Sequence, residues 1–200
     1  MDKTDRYKQV GIFSGSFNPV HNGHVALASY IVSHSNLDEL WMLVSPQNPL
    51  KKGREQVDAW QRVEMLKLAL KDYYPIIKAS DYELSLPTPT YTYETLQKLS
   101  QDFPDCRFSL IIGADNMLVF KRWFRWQDII TKYRIIVYPR NDIDMYQMQQ
   151  EFDNRMDIIE APLFNISSTM IRNKVAHGED ISQYVDTEVA NYIKKHHLYI

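Results

Sequence analysis

Two histidines, His21 and His24, stand three residues apart across Gly23, at the end of the stretch Val-Gly-Ile-Phe-Ser-Gly-Ser-Phe-Asn-Pro-Val-His-Asn-Gly-His that occupies positions 10–24. Residues at i and i+3 share a helix face, so both imidazoles can address one ligand. The apolar run 10–13 breaks at Ser14, Gly15 and Ser16, passes Phe17 and Asn18, and is followed after the histidines by an apolar segment of helical character. A strand, a turn of small residues and a helix N-terminus form the layout on which α/β proteins hold phosphate. Main-chain N–H groups of the first turn add positive potential beside the imidazoles. The set suits phosphate oxygens on which charge grows during reaction. Gly15 and Gly23 are expected to let backbone and ligand approach closely. Neither Gly-Lys-Ser/Thr nor Gly-x-Gly-x-x-Gly occurs here, so this is neither a Walker loop nor a dinucleotide fingerprint.

A second group of anion-binding type lies near the other end of the chain, in Ile166-Ser167-Ser168-Thr169-Met170-Ile171-Arg172. Hydroxyl residues at a helix start satisfy free N–H groups and can receive phosphate oxygens. Arg172 follows Thr169 by three residues and Ser168 by four, on the same face. Its guanidinium can grip phosphate through two parallel hydrogen bonds. Between the two groups, the Pro-rich segment 45–53 carries Lys51 and Lys52. The run Thr90-Tyr91-Thr92 precedes a helical pattern for which Thr92 is the expected N-cap. An apolar strand pattern stops at Gly113-Ala114-Asp115, and the aromatic stretch with Phe120, Trp123, Phe124 and Trp126 follows. Asp115, at a strand's carboxyl end, could contact a ribose hydroxyl or cap the next helix.

The elements that must position these residues alternate. Strands are expected at 10–13, 40–44, 76–79, 107–112, 134–138 and 157–160, with helices at 23–33, 57–70, 93–101, 126–132 and 146–152. In the second helix Val57, Trp60, Val63, Leu66 and Leu70 keep an amphipathic rhythm. This alternation argues for an α/β fold with a doubly wound parallel sheet, its crevice at the carboxyl ends of the strands, where the His21/His24 loop lies. Beyond position 160 the pattern is helical, over 167–176 with Gly178 as terminator and over 187–196 with Asp186 or Thr187 as N-cap. The tail Leu198-Tyr199-Ile200 is expected to dock. Two hundred residues, 44% hydrophobic, are read as one domain: a core over about 10–160 and a small C-terminal helical extension over about 166–200.

A formal charge of −2 gives no support for nucleic-acid binding, so anionic ligands must be held by local constellations. No run approaches the ~18 apolar residues of a membrane span. Residues 1–6 lack a signal-peptide core, and a lone Cys106 cannot pair internally, which together point to the cytoplasm.

The stretch 14–24 resembles the motif Gly-Gly-Thr/Ser-Phe-Asp/Asn-Pro-x-His-x-Gly-His of the HxGH nucleotidyltransferases, which share a Rossmann-like fold. Ser14 stands for the usual first glycine and Asn18 for the commoner aspartate. Ser14 therefore implies either ordinary backbone there or a cost for a non-glycine residue at positive φ. Residues 166–172 resemble that superfamily's second motif, Ile-Ser-Ser-Thr-x-x-Arg. The middle of the chain is similar to the nicotinate-nucleotide adenylyltransferases, in its turn at 90–92 and in Gly-Ala-Asp followed by Trp-x-x-Trp. The resemblance spans residues 10–199 and implies transfer of the adenylyl group of ATP to nicotinate mononucleotide, giving deamido-NAD and pyrophosphate, with Mg2+ bound through ATP phosphates and no dedicated protein metal site.

It further implies His21, His24, Lys51 and Arg172 as catalytic. Residues 15–17, 23, 113, 115 and 166–169 are implied as ATP-binding, together with the histidines and Arg172. Ser14, Asn18, Thr90, Tyr91, Thr92 and Trp123 are implied as substrate-binding. The family's Pro-His-Lys is here Leu50-Lys51, so its histidine is missing and the active lysine is Lys51 or Lys52. The arginine common just before position 87 is also absent. Nicotinamide mononucleotide, or a phosphomonoester such as phosphopantetheine, remains an alternative acceptor, as does a cytidylyltransferase or a non-catalytic nucleotide-binding module.

Overall fold

The structure, a computed structural model, describes residues 6–46, 57–140 and 143–200. Among these residues the strands are β1 (Lys8–Gly15), β2 (Glu39–Val44), β3 (Ile77–Ser80), β4 (Cys106–Gly113), β5 (Arg134–Tyr138) and β6 (Asp157–Ile158). They form one sheet in the order β3-β2-β1-β4-β5-β6, with every pair parallel. Strand order reverses between β1 and β4, and a doubly wound sheet opens its crevice at that point. The helices are α1 (Asn22–His34), α2 (Ala59–Leu70), α3 (Thr92–Asp102), α4 (Ala114–Met117), α5 (Trp126–Lys132), α6 (Met145–Glu151), α7 (Ser168–Ala176) and α8 (Thr187–Lys195).

Side chains alternate across each strand, and that alternation builds two apolar layers. Phe13, Met42, Ile111 and Ile136 face one layer with α1, α2, α7 and α8. Their chain neighbours Ile12, Leu43, Leu110, Ile112 and Val137 face the other, with α3, α5 and α6. The C-terminal helices thus share a core with one sheet face, through Ile171, Val189 and Ile193. None of the helices among the described residues is long and apolar enough to cross a membrane.

Several expected boundaries move. The strand expected at 157–160 pairs only at Asp157 and Ile158. Helix α2 starts at Ala59, and its buried face is Arg62, Val63, Met65, Leu66 and Leu70, whereas Trp60 is 57% exposed. The apolar rhythm puts Trp60 inside because periodicity reads size and hydrophobicity but not what lies opposite. Thr92 is the first residue of α3 rather than its cap; Tyr91 holds the cap position without a side-chain bond. Gly178, at φ 71°, ends α7: its N–H reaches the carbonyl of Val175 while the N–H of Glu179 reaches that of Lys174. Asp186 caps α8 through the N–H of Glu188.

Candidate active site

The first helix begins at the histidine pair. His21 is its N-cap, in extended conformation, and His24 is the third helical residue. Their rings stack 3.6 Å apart at 27°, with the edge of Phe17 set against His24 at 5.1 Å. The main-chain N–H of His21 donates to His24 Nδ1 at 3.3 Å. That bond makes Nδ1 the unprotonated nitrogen and leaves the His24 proton on Nε2. His21 Nδ1 is buried without a hydrogen-bond partner among the described residues. Burial, then the charge of Arg140, lowers the His21 pKa to about 4. Burial, then His21 and Arg140, holds His24 well below its ordinary value. At neutral pH the pair is therefore two uncharged N–H donors, not two imidazolium ions.

The glycines of the turn lie close to protein groups. A Cβ on Gly15 would sit 3.0 Å from the Phe17 ring, and one on Gly23 would sit 3.1 Å from both His21 Nδ1 and Phe164 Cβ. Both positions stay bare to admit protein groups that shape the turn. The positive φ of this turn falls on Phe17, at 42°, and not on Ser14. A left-handed non-glycine residue costs about 1–2 kcal/mol, which the burial of the Phe17 ring, 2% exposed, offsets. Ser14, the last residue but one of β1, has ordinary extended backbone, and its hydroxyl donates to Glu83 Oε1 at 3.1 Å.

The second motif is fastened directly to the first. Ser167 caps α7 by accepting from the N–H of Met170 at 3.1 Å. Ser168 Oγ donates to the Pro19 carbonyl at 2.8 Å, and Arg172 Nη1 to the Asn18 carbonyl at 2.7 Å. Arg172 Nη2 donates to Thr169 Oγ1 at 3.0 Å. Tyr199, in the docked tail, donates its hydroxyl proton to Asn18 Oδ1 at 2.7 Å. Asn18 is thus engaged through its carbonyl and its side chain by two C-terminal segments. It is a junction before it is a ligand contact.

Between these pieces lies a cavity of about 380 Å³. Residues 13–18, His21, His24, 166–169 and Arg172 line it, with Asn116 of α4, Tyr138 at the end of β5 and Arg140 just beyond it. Its polar groups are hydroxyl, amide, imidazole and guanidinium, set among Phe13, Phe17 and Ile166. Such a surface offers donors to an anion.

The sequence model of the Cytidylyltransferase-like family matches residues 12–174, which contain both motifs. A probable nicotinate-nucleotide adenylyltransferase of Bacteroides fragilis (strain YCH46) is 42% identical over 184 residues, covering 90% of this chain and 89% of that protein. Its counterpart in Bacteroides thetaiotaomicron is 41% identical over 188 residues, covering 94% and 92%. The chain belongs to the nicotinate-nucleotide adenylyltransferase family. Among solved structures, Plasmodium falciparum nicotinic acid mononucleotide adenylyltransferase complexed with NaAD shares the fold, with a TM-score of 0.81, 19% identity and coverage of 96% and 98%.

Within this nucleotidyltransferase family the expected substrate residues divide into groups. Ser14 and Asn18 line the cavity. Thr90, Tyr91, Thr92 and Trp123 do not. Tyr91 instead meets Phe124 at 5.0 Å, and Trp123 packs on Phe120 at 5.4 Å. Gly23, Gly113 and Asp115 stand behind or beside the lining; a Cβ on Gly113 would lie 2.5 Å from Asp115 Oδ1. Lys51 and Lys52 fall outside the described residues.

Arg140 belongs to neither motif. It follows β5, lies over the Tyr138 ring and donates to its hydroxyl at 3.4 Å. The rule that picks Asp115, a polar residue at a strand's carboxyl end, also picks Arg140. Glu83 is equally silent in the sequence, because a glutamate in a short turn carries no sign that it will be 5% exposed. Burial raises its pKa to about 7 against the opposing bond from Ser14.

Proposed function

We propose that the protein transfers the adenylyl group of ATP to nicotinate mononucleotide, releasing pyrophosphate and nicotinate adenine dinucleotide. The observation that carries this reading is the joining of Asn18 and Pro19 to Arg172 and Ser168, which brings two distant phosphate-type motifs around one donor-rich cavity. The nicotinate-nucleotide adenylyltransferase activity ascribed to the Bacteroides relatives supports the choice of acceptor.

A phosphate oxygen of the mononucleotide attacks the α-phosphorus of ATP, and the bond from that phosphorus to the β-phosphate bridging oxygen breaks. The attacking oxygen is already ionised, so no protein nucleophile is required. Catalysis is positioning plus stabilisation of charge on the phosphoryl oxygens. His24, and beside it His21, donate neutral N–H bonds to the α-phosphoryl oxygens. Thr169, Arg172 and the first turn of α7 receive the β- and γ-phosphates. Arg140 adds a cation near the histidines, and Lys51 acts on the attacking or leaving phosphates. Among the described residues the cavity lining holds no carboxylate, which fits Mg2+ arriving with the nucleotide, held by phosphate oxygens and water. Its charge would neutralise the triphosphate when bound.

Pyrophosphate release measured with ATP, Mg2+ and, in turn, nicotinate mononucleotide, nicotinamide mononucleotide and phosphopantetheine tests the reading. Release is expected to be fastest with nicotinate mononucleotide. A faster reaction with either other acceptor reassigns the substrate, and no release with any of them sinks the enzymatic reading in favour of a nucleotide binder.

A further inference from the structure

Arg62 is the largest side chain among those fully buried, at 1% exposure, and it lies on the apolar face of α2. Among the described residues its hydrogen bonds all run to main-chain carbonyls. Nη1 donates to Ser16 at 2.6 Å and Ser45 at 2.9 Å, Nη2 to Pro46 at 3.0 Å, and Nε to Val57 at 3.0 Å. A buried guanidinium is expensive to desolvate. A methionine or leucine would fill the same face at no such cost, so packing does not account for it.

The four acceptors do. Ser16 belongs to the cavity-lining turn after β1. Ser45 and Pro46 form the carboxyl end of the chain leaving β2, and Val57 is where that chain returns to α2. The Ser45 N–H already donates to the Gly15 carbonyl at 3.0 Å, so the two turns are stitched to each other and then bolted by one side chain. The Ser16 carbonyl is part of the peptide plane that sets the positive φ of Phe17. Holding that oxygen therefore holds the turn whose next residues deliver His21 and His24.

We propose that Arg62 is a positioning residue: it fixes the turn after β1 and both ends of the 46–57 connection in the geometry that adenylyl transfer needs. Its kinetic consequence rests on the adenylyl-transfer reading; its mechanical one does not. Planarity matters here, because the guanidinium spreads its donors over three nitrogens and an ammonium presents them all from one.

The test compares wild type with Arg62→Lys and Arg62→Met, below the melting temperature of each. Arg62→Lys is expected to lower kcat at least about tenfold, because small misplacements of phosphate-facing groups are costly in rate, while KM for ATP changes about threefold or less. Amide hydrogen exchange in 14–18 and 43–45 should accelerate in both variants, with β4 and β5 unchanged. In a third variant, Arg62→Ala, guanidinium ion should restore part of the kcat, and urea at the same concentration should not. An Arg62→Lys protein with wild-type kcat per folded molecule overturns the proposal, as does exchange that accelerates evenly over the whole sheet, the mark of a residue that only fills the core. If wild type itself releases no pyrophosphate, the adenylyl-transfer reading fails, and the localised exchange pattern alone decides the role of Arg62.

Discussion

At the scale of single residues, the chemistry depends on protonation states that burial sets. His24 presents Nε2–H because its Nδ1 is held by the main chain. His24→Ala is expected to reduce kcat by about 100-fold, the order seen when one oxyanion donor is lost, and to weaken ATP binding far less; single-turnover kinetics with binding calorimetry separates the two. Because the His21 pKa is lowered to about 4, its ring signals in NMR should show no titration between pH 6 and 8. The neutral form is the folded one, so the histidine contribution to stability rises with pH through the window from about 4 to 6.5.

Glu83 works in the opposite sense. Its folded pKa of about 7 exceeds the ordinary 4.5, so the folded state holds a proton that the unfolded state has released, and stability falls as pH rises through that interval. Glu83→Gln should remove this loss, a gain on the order of 3 kcal/mol above pH 7. Urea unfolding of both proteins at pH 4.5 and pH 8 checks it: a difference that does not grow with pH would contradict the assignment.

At the scale of elements, the two ends of the chain meet at the turn after β1. Helix α7 and the tail after α8 hold Asn18 between them, through the Arg172 and Tyr199 bonds. Tyr199→Phe deletes one partly buried hydrogen bond and leaves Asn18 Oδ1 without that donor. The expected cost is about 1–2 kcal/mol of stability, with KM for ATP rising because the same asparagine carries the turn. Calorimetry and steady-state kinetics on one preparation read both effects. Equal ATP affinity in the variant would show that the tail stabilises the fold without shaping the site.

At the scale of the whole molecule, stability and chemistry occupy opposite ends of the sheet. Glu39, at the start of β2, is 6% exposed and receives Lys78 from β3 at 2.8 Å, Lys8 from β1, and the Trp41 ring N–H at 2.8 Å. Burial alone would raise its pKa, but the bonds from Lys78, Lys8 and Trp41 together lower it. This stability is present above the ordinary carboxylate pKa and is lost as pH falls through the depressed value. Glu39→Gln should destabilise the protein by roughly 1–2 kcal/mol, because the carboxylate that accepts from Trp41 and two part-exposed lysines loses its charge, and leave kcat unchanged, since the cavity lies at the carboxyl ends of the strands. Thermal unfolding paired with pyrophosphate release tests that separation.

What the sequence determined by itself was local or periodic. The alternation of strand and helix patterns, the cap and terminator residues of α7 and α8, and the two phosphate-type motifs each depend on residues within a few positions of one another. The parallel sheet follows from them because few other arrangements bury such strands on both faces. The tertiary structure decided what depends on distant partners. It turned Trp60 outward and Arg62 inward, gave Asn18 to Tyr199, and kept Gly15 and Gly23 bare for a phenylalanine ring and an imidazole. It also added Arg140 to the cavity lining and left Tyr91 and Trp123 out of it. The charge on the histidine pair was decided there too, because desolvation is a property of everything packed around a side chain and not of its neighbours in the chain.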